Sequence, residues 1–112
     1  MRVLLVDDDT ILRRSLCRRL ALRGLAVDDA GGVKEALALL DANAYDAIVS
    51  DENMPDGVGQ TLLARAAEKQ PRCRRALMSG LGEPEGVSNG CWERFFAKPE
   101  GISDLFSWLL DA

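Results

Sequence analysis

The sequence predicts an α/β fold built on a parallel sheet, and three observations predict it. Short, continuous apolar runs recur along the 112 residues; such runs mark strands covered on both faces by helices. Between them, leucines and alanines repeat at helical spacing. Strand and helix alternate from start to end, the pattern of a parallel sheet with right-handed crossovers.

Residues 3–6, VLLV, open the chain as the first strand. Leu12, Leu16 and Leu20 then fall four apart with arginines between them, giving an amphipathic helix that Gly24 ends as a C-cap. The second strand is expected over Leu25–Asp28, and Val33, Ala36, Leu37 and Leu40 define the helix after it. Ala47–Ser50 is the third strand, followed by a helix over Thr61–Lys69 that turns Leu62, Leu63 and Ala66 inward. Arg75–Met78 and Phe95–Ala97 supply the fourth and fifth strands, and Ser103–Leu110 the last helix. The segment Gly80–Gly90 breaks the rhythm. It holds four glycines and Pro84, and in a helix interior a glycine costs about 1 kcal/mol and a proline about 3 kcal/mol. A short, irregular connection is expected there instead of a full helix.

With 47% hydrophobic and 29% charged residues, and no linker-like stretch, residues 1–112 read as one domain. No apolar run is long enough for a membrane span, and strand-like sequence begins directly after Met1-Arg2, so the expected location is cytoplasmic. Cys17, Cys73 and Cys91 are odd in number, widely spaced and accompanied by no histidine. They suit neither a disulfide framework nor a zinc site and read as reduced structural thiols. A net charge of −4 speaks against nucleic-acid binding, which needs clustered positive charge. The basic concentration at Arg13, Arg14, Arg18, Arg19 and Arg23 fits a solvated helix face, with partner docking as the alternative.

The polar residues fall where such a fold does chemistry. Asp7-Asp8-Asp9 follow the first strand, Asp51 the third, Ser79 the fourth and Lys98 the fifth. All lie at carboxyl ends of parallel strands, which converge on the ligand crevice of an open sheet. Helix capping would use one acid, Asp9, leaving the others unexplained. Carboxylates without histidine or cysteine are hard oxygen ligands suited to Mg²⁺ and a phosphate. Lys98 adds a mobile positive charge and Ser79 a hydroxyl donor. The set points to phosphoryl transfer with a carboxylate nucleophile. Asp51, single and strand-terminal, is the best candidate, and its neighbour Glu52 is read as a bystander.

With VLLVDDD, DAIVSDENMPDGVG, ALMSG and FFAKP in this order, each at a strand end, the chain resembles the receiver domain of two-component response regulators along nearly its whole length. The resemblance implies a flavodoxin-like, doubly wound five-stranded sheet of order 2-1-3-4-5, here with a shortened or irregular fourth helix. It implies that Asp51 is the phosphoacceptor and that Mg²⁺ is held by Asp8, Asp51 and the backbone carbonyl of Asn53, with Asp7 acting mainly through water. Lys98 and Ser79 would bind the phosphoryl oxygens, Ser79 and Phe95 would form the switch, and Lys98-Pro99 is a candidate cis peptide. The implied phosphodonor is a phosphohistidine on a sensor histidine kinase or histidine phosphotransfer protein, docked near Arg13, Arg14 and Arg18. The output passes to an unknown downstream effector. Such a domain is no enzyme beyond catalysing its own phosphorylation and dephosphorylation.

Three departures stand out. The Gly80–Gly90 crossover is short. Val58 replaces a frequent acidic residue, which points to Asp56 as the cap of the third helix. Leu81 offers no polar group to orient an attacking water, so a long-lived aspartyl phosphate is expected. Two other functions share part of this pattern. A haloacid dehalogenase-like phosphatase would share the aspartate, lysine and Mg²⁺, but Asp9 is followed by Thr10-Ile11, and no paired acids follow Lys98. A receiver-like interaction module that does not switch by phosphate is favoured by the degraded fourth crossover, but Asp8, Asp51, Ser79 and Lys98 together argue against it.

Overall fold

The computed structural model of the chain describes residues 1–84 and 91–111. The elements run β1 (Arg2–Val6), α1 (Thr10–Leu22), β2 (Ala26–Ala30), α2 (Val33–Ala42), β3 (Ala47–Asp51), β4 (Asn53–Met54), β5 (Gly57–Val58), α3 (Gly59–Lys69), β6 (Arg74–Ser79), β7 (Arg94–Ala97) and α4 (Ile102–Leu110). Five strands form one parallel sheet in the order β2-β1-β3-β6-β7. This is the expected 2-1-3-4-5 arrangement once the small antiparallel pair β4-β5 is set aside. That pair, inserted after β3, was not foreseen.

The continuous apolar runs of the strands follow from burial on both faces. Leu4, Val6, Ile48 and Leu77 belong to one core layer, with Leu40 of α2 and Leu62, Leu63 and Ala66 of α3. Val3, Leu5, Val49 and Met78, the alternate residues, belong to the other, with Leu16 and Leu20 of α1 and Leu105 and Leu109 of α4. β3 is central, and all five of its residues are buried. Burying one leucine side chain is worth about 1.5–3 kcal/mol, so the paired layers supply the main force that fixes strand register.

Helix ends explain where the structure departs from the sequence reading. Asp9 caps α1 as expected, its side chain accepting from the Leu12 N–H at 3.1 Å. Arg23 is the C-cap, and Gly24 follows it at φ +89°, a left-handed conformation in which glycine carries no side-chain penalty. β2 continues to Ala30, past the expected end at Asp28, because both aspartates in it have partners: Asp28 binds Arg2 and Tyr45, and Asp29 binds Arg13. Asp56 does not cap the third helix. Its carboxylate accepts from Val33 N–H at 2.9 Å and Lys34 N–H at 3.0 Å and so caps α2, whose own N-cap, Gly32, has no side chain to offer. A Cβ on Gly32 would stand 2.7 Å from an Asp56 oxygen. The glycine is what lets the carboxylate in.

The start of α3 is held by Glu52. Its backbone carbonyl accepts from Gly59 N–H at 2.8 Å and its carboxylate from Gln60 N–H at 3.1 Å, with a further bond from the Gln60 amide. This is why the helix begins at Gly59 and not at Thr61. After β6, residues 80–84 form no helix, as expected; the rest of the expected irregular crossover, residues 85–90, lies outside the described residues. Trp92, 8% exposed, packs into the α2/α3 layer at the end of this connection, its indole N–H donating to Glu83 at 3.1 Å.

Candidate functional site

The sheet brings the strand-terminal polar residues to one edge. Val6 pairs with Ser50, so the next residues, Asp7 and Asp51, lie side by side where β1 and β3 end. Asp51 pairs with Met78 and Ser79 with Ala97, placing Ser79 beside Asp51 on one side and Lys98 on the other. Lys98 is anchored by its own backbone, its N–H donating to the Ser79 carbonyl at 3.0 Å, and it precedes a cis bond to Pro99. Here the sequence expectation of a cis peptide is met.

Carboxylate oxygens of Asp7, Asp8 and Asp51 lie within 4.8 Å of one another. Lys98 Nζ reaches across them, 3.1 Å from Asp7 and 3.2 Å from Asp51. Asp7 is fully buried and Asp51 is 7% exposed, whereas Asp8 faces solvent. Burial is the main cause that pushes the Asp51 carboxyl above its ordinary value; Lys98 opposes the rise and the Asp7 charge adds to it. Burial pulls the Lys98 ammonium down, but hydrogen bonds and attraction from Asp7 and Asp51 outweigh it, and its net shift is upward. Three acids and one lysine leave excess negative charge in a partly dry pocket. Among the described residues the donors at this edge are all hard oxygens, without a histidine or thiolate, which is the chemistry a small divalent cation takes.

The backbone around Asp51 is tightly confined. Its carbonyl accepts from the Ser50 hydroxyl at 2.9 Å, and a Cβ on Gly59 would stand 2.3 Å from that same oxygen. Only glycine lets α3 start this close to the strand end. Ser79 is 2% exposed, and its hydroxyl oxygen accepts from the Leu81 N–H at 3.0 Å. Phe95, on β7, packs partly buried against the α2/α3 layer. Asn53 is exposed at the start of β4, directly beyond the acids.

The three arginines considered for docking separate. Arg14 and Arg18 are exposed on α1. Arg13 is turned inward, its side chain 14% exposed, with Nε donating to Asp29 at 2.6 Å and a terminal nitrogen to the Asp7 carbonyl at 2.8 Å. Glu52 and Asp56 were also misjudged by sequence reasoning. Glu52 is 8% exposed and holds the start of α3, so it is no bystander in the framework. No spacing rule marks it, because Gln60 is eight residues away. The doublet Gly31-Gly32 was the one readable signal, since adjacent glycines before a helix leave space for approaching groups.

An open parallel sheet that gathers carboxylates, a serine and a lysine at its carboxyl edge places the chain among α/β domains with an acidic site in the strand-end crevice. The response regulator receiver domain family matches residues 3–109, and the chain belongs to that family, the receivers of two-component signalling. The transcriptional regulatory protein PmrA of Pectobacterium parmentieri is 40% identical over 109 residues, covering 94% of this chain and 49% of that protein. The chain thus spans about half the length of this curated relative. The receiver domain of the hybrid histidine kinase CckA superposes with a TM-score of 0.85 at 29% identity, covering 99% of this chain and 97% of that one. A response regulator from Burkholderia pseudomallei, solved with a phosphorylated aspartic acid, calcium ion and citrate, superposes with a TM-score of 0.82 at 25% identity, covering 95% and 64%. No helix among the described residues is long and apolar enough to cross a membrane.

Proposed function

We propose that residues 1–112 act as one receiver unit, in the cytoplasm, which accepts a phosphoryl group on Asp51 from a phosphohistidine of a sensor histidine kinase or histidine phosphotransfer protein. The observation that carries this reading is the pocket itself: a buried, strand-terminal carboxylate flanked by two further acids and bridged by Lys98. In the transfer, an Asp51 carboxylate oxygen attacks phosphorus, the P–N bond breaks, and the imidazole nitrogen keeps the bonding pair. Asp8, Asp51 and the Asn53 carbonyl would hold Mg²⁺, with Asp7 acting mainly through water. When bound, Mg²⁺ supplies charge neutralisation for the phosphoryl oxygens.

The chain's own groups do the rest. Lys98 pairs with the incoming phosphoryl oxygens, exchanging part of its contact with Asp51 for them. Ser79 releases the Leu81 N–H and turns its hydroxyl to the phosphoryl group, and Phe95 moves with it. Phosphorylation adds up to about two negative charges to an already acidic pocket, and this imbalance biases the loop toward the new arrangement and toward a downstream effector. Exposed Arg14 and Arg18 offer the phosphodonor a positive surface.

Acetyl phosphate with Mg²⁺ is expected to label the protein with one hydroxylamine-labile phosphoryl group, absent in Asp51→Asn. Labelling that persists in that variant refutes Asp51 as acceptor. Protein that takes no label from either acetyl phosphate or a phosphorylated kinase is a non-switching interaction module. Continued release of phosphate from simple esters would instead identify a phosphatase.

A further inference from the structure

Every polar group of Asp7 is engaged. Its N–H donates to the Ala30 carbonyl at 3.1 Å, and its carboxylate accepts from Asp9 N–H at 2.9 Å and Lys98 at 3.1 Å. The remaining group, the backbone carbonyl, belongs to the peptide that joins Asp7 to Asp8, and Arg13 holds it at 2.8 Å. Because a peptide unit is planar and stiff, fixing that carbonyl fixes the direction in which the chain presents Asp8. Arg13 is in turn fixed by Asp29 on β2, at 2.6 Å. The turn after β2 leaves room for it: a Cβ on Gly31 would stand 3.0 Å from the Arg13 terminal nitrogen. The rigid guanidinium fork spans both partners at once, which a lysine ammonium cannot do with the same directions.

We propose that Arg13 is a positioning residue for the metal-binding acids, holding the Asp7-Asp8 peptide so that the exposed Asp8 carboxylate joins Asp51 at the cation. It is not a docking residue for the phosphodonor. The inference rests on the Mg²⁺ reading of the pocket. It also makes a prediction against simple electrostatics: removing a positive charge beside three acids should tighten cation binding, whereas loosening the peptide that carries Asp8 weakens it.

The test is calorimetric titration of MgCl₂ into wild type, Arg13→Lys, Arg13→Gln and Gly31→Ala, with thermal unfolding of each in EDTA. Both Arg13 variants are expected to bind Mg²⁺ about ten- to hundredfold more weakly, the range for loss of a group that orients a metal ligand. Gly31→Ala, which crowds the guanidinium without altering any charge, shifts affinity the same way. Arg65→Gln, an equal charge change on the exposed face of α3, leaves it unchanged. Tighter binding by Arg13→Gln, or wild-type affinity in Arg13→Lys whatever its melting temperature, overturns the proposal. If Arg13→Gln fails to fold, Arg13→Lys and Gly31→Ala decide. Wild-type protein that binds no Mg²⁺ overturns the metal reading, and the role of Arg13 falls with it.

Discussion

Replacing Gly59 with alanine tests the packing that fixes the phosphoacceptor. The new Cβ would lie 2.3 Å from the Asp51 carbonyl oxygen, 2.9 Å from Leu77 Cδ1 and 3.0 Å from the Ser50 hydroxyl. The first of these is about 1 Å closer than van der Waals contact allows, and its atom is backbone in the central strand, which cannot swing aside. Overpacking of this kind costs about 1–3 kcal/mol, and rigid surroundings put it near 3 kcal/mol. Alanine returns at most about 1 kcal/mol of helix propensity, leaving a net loss of about 2 kcal/mol and a fall in melting temperature of about 10 °C. Urea unfolding followed by tryptophan fluorescence and circular dichroism measures it. Gly24→Ala is the contrast: nothing lies within 4 Å of its added Cβ, and only the left-handed backbone is penalised, at about 1 kcal/mol. Acetyl phosphate labelling of Gly59→Ala should also slow, since the clash bears on Asp51 itself. Stability within about 0.5 kcal/mol of wild type, the scale of a neutral surface change, would show that the α3–β3 contact is not the constraint described.

Two further outcomes are expected. Tyr45→Phe removes the hydrogen bond that most lowers the Asp28 pKa, ahead of the bond and charge of Arg2. A lowered folded-state value means a contribution present above the unfolded value and lost as pH falls through the folded one. The variant is therefore less stable than wild type at neutral pH, and the two converge in acid; a difference independent of pH from 7 to below the ordinary aspartate range refutes the linkage. Leu81 is 87% exposed and carries no polar side-chain group, so purified phosphoprotein in Mg²⁺ should keep its label longer than Leu81→Asn does, and equal decay rates measured by phosphate-affinity electrophoresis contradict this.

The inner strands β1, β3 and β6 were legible because most of their residues are buried between the two helix layers, which leaves a continuous apolar run in the sequence, whereas the edge strand β2 is mostly half-buried and carries two aspartates. The pocket was legible because Asp7, Asp8, Asp51, Ser79 and Lys98 each follow such a run, and a parallel sheet gathers strand ends without further information. What escaped were bonds between residues distant in sequence. Asp56 looked like the cap nearest the third helix, yet the uncapped start of α2 is where its carboxylate went. Glu52 looked idle because its partner, the α3 N-terminus, becomes adjacent only after the β4-β5 pair folds back. Arg13 looked like one more solvated arginine of a basic face; its inward turn depends on Asp29 and on the space beside Gly31.

The loan of Asp56 to α2 bears on how the chain acquires its shape during synthesis. Helix α2 is complete in sequence by Ala42, but the carboxylate that closes its first turn is made only at residue 56, after the whole of β3. Until then the Val33 and Lys34 amides are left to water. The cap of the second helix therefore becomes available only after the third strand has been made.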